Sequence, residues 1–305
     1  MEGLIKEARV HMTTQDMAAL KKVPFGQIPL EIRAKVFGVD YVCINMPGRG
    51  QLYVTRYGWP WLEHLLPEQW YENQQYYRIG QRLSGSGTVY RVPTFSNIRR
   101  HISLVVKFSR FAQDVMLYIE SDYPDCNTLK NFYDARFNGP FEEFGILMEL
   151  RSSSLGPSNL RIRTKRPFAI YCPYEESDPW RMGRALWRFS PYQEAIQKNQ
   201  TCAGGPDVKL DIRKSYILLF GWVKGENAAE LCSQGLLDER ELRALTIRVH
   251  NELKQKGFHV LDNKPRHFIL RKRRGDNLLL HRNGKLVYAL VDFELLVKMK
   301  RSQLI

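Results

Sequence analysis

Four short segments carry side chains whose chemistry goes beyond packing. Gly85-Ser86-Gly87-Thr88-Val89-Tyr90-Arg91-Val92 is a glycine-rich turn between two strand-like runs. With no Cβ at Gly85 and Gly87, the backbone N–H groups of Gly85, Ser86, Gly87 and Thr88 can close on phosphate oxygens; a plain hairpin turn uses glycine in the same way. Lys107 sits inside the apolar run Leu104-Val105-Val106-Lys107-Phe108. Facing inward, its ammonium group needs an anionic partner, and a phosphate plus a helix carboxylate would serve. Facing outward, it is an ordinary strand lysine. Asp262-Asn263-Lys264-Pro265-Arg266-His267 is a polar turn. An Asp held there can accept a hydroxyl proton, and the residue five positions on can ligate a metal; turn chemistry alone also explains the composition. Asp292-Phe293-Glu294 closes an apolar run. A carboxylate emerging from a strand end can hold Mg²⁺ against phosphates, or it can cap a helical turn over 293–299.

The elements around these segments follow from periodicity. Residues 77–83, 88–92 and 102–109 are β-branched and aromatic and read as strands. Gly139-Pro140 opens a helix over 141–151, with Phe141, Phe144, Leu147 and Met148 on one face. Residues 168–172 and 216–220 are short apolar strands, and the basic stretch 173–214 between them reads as an insertion. The best-signalled helix is 238–256: Asp238 and Glu241 form a capping box, Leu242, Leu245, Val249 and Leu253 form the stripe, and Gly257 ends it. Strands at 258–261, 268–270 and 286–291 follow, with Asn283-Gly284 as a hairpin turn. Residues 1–75 read as an irregular extension, rich in aromatics and Pro, with helical patterns at 14–22 and 30–36.

Composition narrows the class. Of 305 residues, 44% are hydrophobic and 26% charged, which is the balance of a folded chain of about two domains. No run approaches the roughly 18 apolar residues of a membrane helix. The first residues carry no apolar core of a secretory signal, so the expected location is cytoplasmic. Five scattered cysteines, without CxxC or zinc spacing, read as reduced structural thiols. HExxH and GxSxG are absent. The net charge of +14 favours anionic partners. Its densest part is Arg271, Lys272, Arg273, Arg274, Arg282 and Lys285, either a solvated face or a contact for an anionic partner.

Taken in order, the four segments resemble the signature set of the protein-kinase-like superfamily, over about 77–294. Gly85, Gly87 and Val92 match GxGxxGxV, and Lys107 follows Val92 by 15 residues, near the family's interval to its strand lysine. Residues 215–225, with Phe220 and Trp222, are similar to the strand and hinge that hold adenine. Asp262 matches the catalytic-loop Asp, His267 falls where the family has its metal-binding Asn, and Asp292 matches the DFG Asp. Glu143 is the implied partner of Lys107, chosen over Glu142 and Glu149 on the family's E-x₃-L pattern.

The sequence departs from the family at four of these positions: Tyr90 replaces the third glycine, Leu261 the Arg of HRD, His267 the Asn, and Glu294 the Gly of DFG. Thirteen residues follow Asp292, so neither an activation segment nor a full set of C-lobe helices is expected. This resembles small atypical bacterial kinase-like proteins, RIO-like or sugar-kinase-like.

The resemblance implies an α+β, two-lobed kinase-like fold with an antiparallel N-lobe and a shortened helical C-lobe. Its divisions would be 1–75 (extension), 76–225 (N-lobe and hinge) and 226–305 (reduced C-lobe). It implies phosphate transfer from ATP, with Mg²⁺ or Mn²⁺, to an unidentified hydroxyl on a protein or small molecule. Asp262 and Lys107 would be catalytic, Asp292 and His267 would hold the metal, and Gly85, Ser86, Gly87, Thr88, Val92, Lys107, Glu143, Phe220 and Trp222 would contact the nucleotide. A nucleotide-binding pseudokinase without transfer is the alternative.

Overall fold

The computed structural model describes residues 20–85, 87–94, 101–115, 135–152, 156–157, 160–201 and 204–299. The chain forms a mixed α+β structure divided into two compact units. The first comprises residues 1–114, 139–145 and 166–222, and the second 115–138, 146–165 and 223–305.

The first unit is built on a nine-stranded antiparallel sheet. Its strands are β1 (Arg33–Val36), β2 (Val39–Met46), β3 (Gly50–Thr55), β4 (Gln81–Arg82), β5 (Val89–Thr94), β6 (Ile102–Phe108), β7 (Pro167–Pro173), β8 (Gln200–Thr201) and β9 (Ile217–Gly221). They lie in the order β4-β5-β6-β9-β7-β3-β2-β1-β8. Helices α1 (Leu62–Leu65), α2 (Gln75–Arg78), α3 (Pro140–Arg151, which runs on into the second unit) and α4 (Ser190–Asn199) accompany it.

Central strands are apolar on both sides because both faces are covered. Val92, Leu104, Val106, Ile217 and Leu219 share one core cluster with Trp59, Leu62, Leu65, Trp70 and Tyr76. Burying each such large side chain contributes roughly 1.5–3 kcal/mol. The indoles remain satisfied, since Trp59 Nε1 donates to Val23 O and Trp70 Nε1 to Leu65 O, both at 3.0 Å. On the opposite face α3 brings Phe141 against Tyr41 and Tyr53, and Phe144 to 5.2 Å from Phe220. Pro140 starts α3, where a missing N–H costs nothing, and the Glu142 carboxylate accepts from Gly139 N–H at 3.1 Å.

The second unit holds β10 (Glu226–Asn227), β11 (Phe258–Val260), β12 (Phe268–Leu270), β13 (His281–Arg282), β14 (Lys285–Leu286), β15 (Tyr288–Leu290) and β16 (Leu296–Lys298), with helices α5 (Ala228–Ser233) and α6 (Glu239–Gln255). Strands pair as β10-β12-β15, β11-β16 and β13-β14. The capping box of α6 is present: Glu241 N–H donates to Asp238 Oδ1 at 2.7 Å, and Asp238 N–H to Glu241 Oε2 at 3.2 Å. Leu245, Val249 and Leu253 are buried as the stripe requires, joined by Thr246, while Leu242 is half-buried. Asn283 (φ 51°) and Gly284 (φ 70°) turn the β13–β14 hairpin in the left-handed region.

Several expectations are corrected. Of the expected irregular extension 1–75, the described part is not irregular: β1, β2 and β3 lie within the main sheet, and 59–76 cover one of its faces. Residues 30–36 are a 3₁₀ turn followed by β1, not a helix, because Arg33–Val36 pairs with β2. The strand expected over 77–83 splits, since Tyr76 and Tyr77 belong to α2 and only Gln81–Arg82 pairs with β5. The run 286–291 is two strands that pair with different partners. Asp292 Oδ1 does accept from Glu294 N–H, at 3.2 Å, and Leu296 N–H closes one turn onto Phe293 O at 3.4 Å, but the chain then forms β16 instead of a helical turn out to 299. Residues 173–214 do leave and rejoin the sheet between hydrogen-bonded neighbours β7 and β9, and they contain α4 and β8. The helix expected at 14–22 falls largely outside the described residues. Among the described residues no helix is long and apolar enough to cross a membrane.

Candidate functional site

Lys107 stands in the middle of the sheet, opposite Val89 of β5 and Leu218 of β9. Strand alternation sends its neighbours Leu104 and Val106 into the core cluster, so Val105 and Lys107 project to the face covered by α3. There its ammonium group donates to both oxygens of Glu143, at 2.9 and 3.0 Å. The side chains keep only 5% and 3% of their surface. Two opposite charges at this depth hold together because neither has water as an alternative. Glu143 lies between Phe141 and Phe144 on α3, so the packing that covers the sheet also delivers the carboxylate.

The glycine-rich turn closes β4 onto β5. Leu83 N–H donates to Val89 O at 2.9 Å, and Thr88 O accepts from Phe108 N–H at 3.0 Å. Gly85 has φ 147° and open space around it, whereas Ser86 lies outside the described residues. Val92 is fully buried in the core cluster, on the face of β5 opposite Val89. Phe220 is likewise fully buried, packed on Phe144. Trp222 is half-buried, anchored by its N–H to Ser103 O at 3.1 Å, with the Arg91 guanidinium 4.6 Å from its ring centre.

In the second unit, the turn between β11 and β12 and the segment after β15 bring Asp262, His267 and Asp292 together. His267 Nδ1 faces the Asp262 carbonyl oxygen at 3.1 Å, and Val291 N–H donates to His267 O at 3.1 Å. A carbonyl only accepts, so Nδ1 carries the hydrogen. In the neutral ring Nε2 is then a bare lone pair, and it lies 3.6 Å from Asp292 Oδ2. Among the described residues no cluster of three or more His, Cys, Asp or Glu could hold a metal. His267 and Asp292 are thus neighbours as a pair of side chains.

Two residues escaped the sequence reading. Lys264 Nζ bonds Asp262 Oδ1 at 2.9 Å and orients that carboxylate. Its only sequence signal was its place two residues after Asp262. Asn138 is buried and donates from Nδ2 to Phe293 O and Leu296 O, each at 2.8 Å, while its N–H reaches Glu294 O at 2.8 Å. It pins the segment that carries Asp292, and nothing in the sequence signals a contact across 155 residues. Thiol chemistry finds no support: burial pushes Cys43 up to about 12 and Cys172 up to about 11, which keeps both as inert thiols. Cys126 and Cys202 lie outside the described residues. The chain matches no protein-family model and no curated protein.

Proposed function

We propose that this chain is an ATP- and metal-dependent phosphotransferase of the protein-kinase-like superfamily, acting on a hydroxyl acceptor. The observation that carries it is the buried bond between Lys107 and Glu143. A strand lysine paired with a helix glutamate is the arrangement protein kinases need to orient the α/β-phosphates. An ion pair kept this dry is an expensive way merely to stabilise a sheet, since apolar residues of the same volume do as well or better.

Lys107 would hold the phosphates, with Glu143 fixing its ammonium group. Gly85, Gly87 and Thr88 would offer backbone N–H groups above them. Asp292 and His267 would hold Mg²⁺ or Mn²⁺, the imidazole favouring the latter. The ion, when bound, neutralises charge on the phosphate oxygens. Asp262 would accept the acceptor's proton, with Lys264 Nζ 2.9 Å from its Oδ1. Chemistry of this kind is mostly positioning and charge neutralisation, so losing one charged member is severe.

The 3.6 Å contact between His267 and Asp292 also favours a second reading, a nucleotide-binding module without transfer. In that reading His267 and Asp292 serve each other and hold no ion. Asp262→Asn separates the two. For an enzyme, ATP binding persists while transfer to water or an added hydroxyl acceptor falls about 100-fold or more. For a binding module, wild type and variant turn over ATP equally poorly.

A further inference from the structure

Residues 271–287 form a small three-limbed ribbon within the second unit. Lys272 bridges Leu279, Arg273 N–H donates to Leu278 O at 2.7 Å, and Leu280 N–H donates to Arg271 O at 2.8 Å. The chain then turns at Asn283-Gly284, pairing His281 with Leu286 and Arg282 with Lys285. Antiparallel alternation assigns the two faces. Leu279, Leu286 and Lys272 share one face: Leu279 is buried and Lys272 pairs with Glu226 at 2.8 Å. Arg271, Arg273, Arg282 and Lys285 share the other with Leu278 and Leu280, and all four cations are exposed.

These cations are unlike the arginines of the first unit's insertion. Arg181, Arg188 and Arg213 each meet a carboxylate, on Asp178, Asp114 and Glu176. On the ribbon Arg273 pairs with Asp276, whereas Arg271, Arg282, Lys285 and the turn residue Arg274 have no ion-pair partner among the described residues. Residues 271–287 contain six Lys and Arg against one Asp.

We propose that this face of the ribbon binds double-stranded nucleic acid through its phosphates, without reading sequence. Limbs lie about 5 Å apart, and side chains on one face recur about every 7 Å, so the cations form a flat grid across the ribbon. Phosphate contacts of this kind need free cations and little else. A single-strand surface would need stacking aromatics, and a membrane interface would need Trp or Tyr; residues 271–287 contain neither, and Leu278 is their one large exposed apolar side chain. This surface is independent of phosphate transfer.

The test is fluorescence anisotropy of the full chain with short RNA and DNA duplexes of unrelated sequence, across a salt series. Wild type binds both sequences alike, and affinity falls steeply with salt. Arg271→Ala/Arg282→Ala/Lys285→Ala lowers the slope of log affinity against log salt by about three. Arg271→Lys/Arg282→Lys retains binding, because phosphates are met by charge. A control, Lys224→Ala/Arg240→Ala/Arg243→Ala, removes the same charge from exposed positions elsewhere in the unit and leaves the slope unchanged. Unfolding midpoints within error of wild type show that the variants fold, as expected for exposed side chains. No duplex binding by wild type, an equal loss in the control, or tighter binding to polyuridine or phosphatidylserine vesicles would each overturn the proposal.

Discussion

Lys107 and Glu143 keep 5% and 3% of their side-chain surface, whereas Asp262, Lys264 and Asp292 keep 25%, 26% and 34%. Both sets are built from opposite charges, but different forces hold them. The first is clamped by a sheet face and an aromatic helix, so its geometry belongs to the core. The second is held by backbone hydrogen bonds around a turn, with water at hand.

The contrast predicts unequal penalties. Lys107→Met takes the ammonium group away from a buried carboxylate and costs about 3–5 kcal/mol in urea unfolding. Adding Glu143→Leu recovers most of that loss. A double variant no better than the single one would mean that the pair is not a closed unit. Lys264→Ala, its counterpart in the wet cluster, costs under about 1 kcal/mol. A loss as large as that of Lys107→Met would erase the distinction between the two regions.

The smallest effect is on pH. His64 is 4% exposed, with Nδ1 2.9 Å from Thr94 Oγ1, and burial holds it below its ordinary 6.5. Burial lowers His250 and His259 likewise. The unfolded chain therefore takes up protons first as pH falls below about 6.5, and stability present above that value is lost toward the lowered folded pKa. His64→Gln should flatten the fall in urea midpoint between about pH 7.5 and 5.5. An unchanged slope would show that His64 takes no part.

Local signals were legible in the sequence and long-range pairing was not. Asp238 and Glu241 lie three residues apart, so the cap of α6 could be read from their types alone. Lys107 betrayed itself by polarity inside an apolar strand. Glu143 stood out less, because two other glutamates share its helix and only packing decides which one points inward. Strand β1 was hidden, since Arg33–Val36 has a single turn of pattern and its pairing with β2 and β8 is what makes it a strand. The place of the aromatics at 59–75 was hidden for the same reason: their burial depends on a sheet face assembled from distant strands. Lys264 was passed over because a charged residue in a polar turn is unremarkable until its partner is seen.

The most direct test of the central claim is thermal unfolding of wild type and Asp292→Ala with and without ATP, each with Mg²⁺ and with Mn²⁺. A ligand that binds only the folded chain stabilises it by about 2.7 kcal/mol at a hundredfold excess over its dissociation constant. The account predicts a metal-dependent rise in the wild-type midpoint that Asp292→Ala abolishes. No rise with either metal, or an equal rise in the variant, would contradict it.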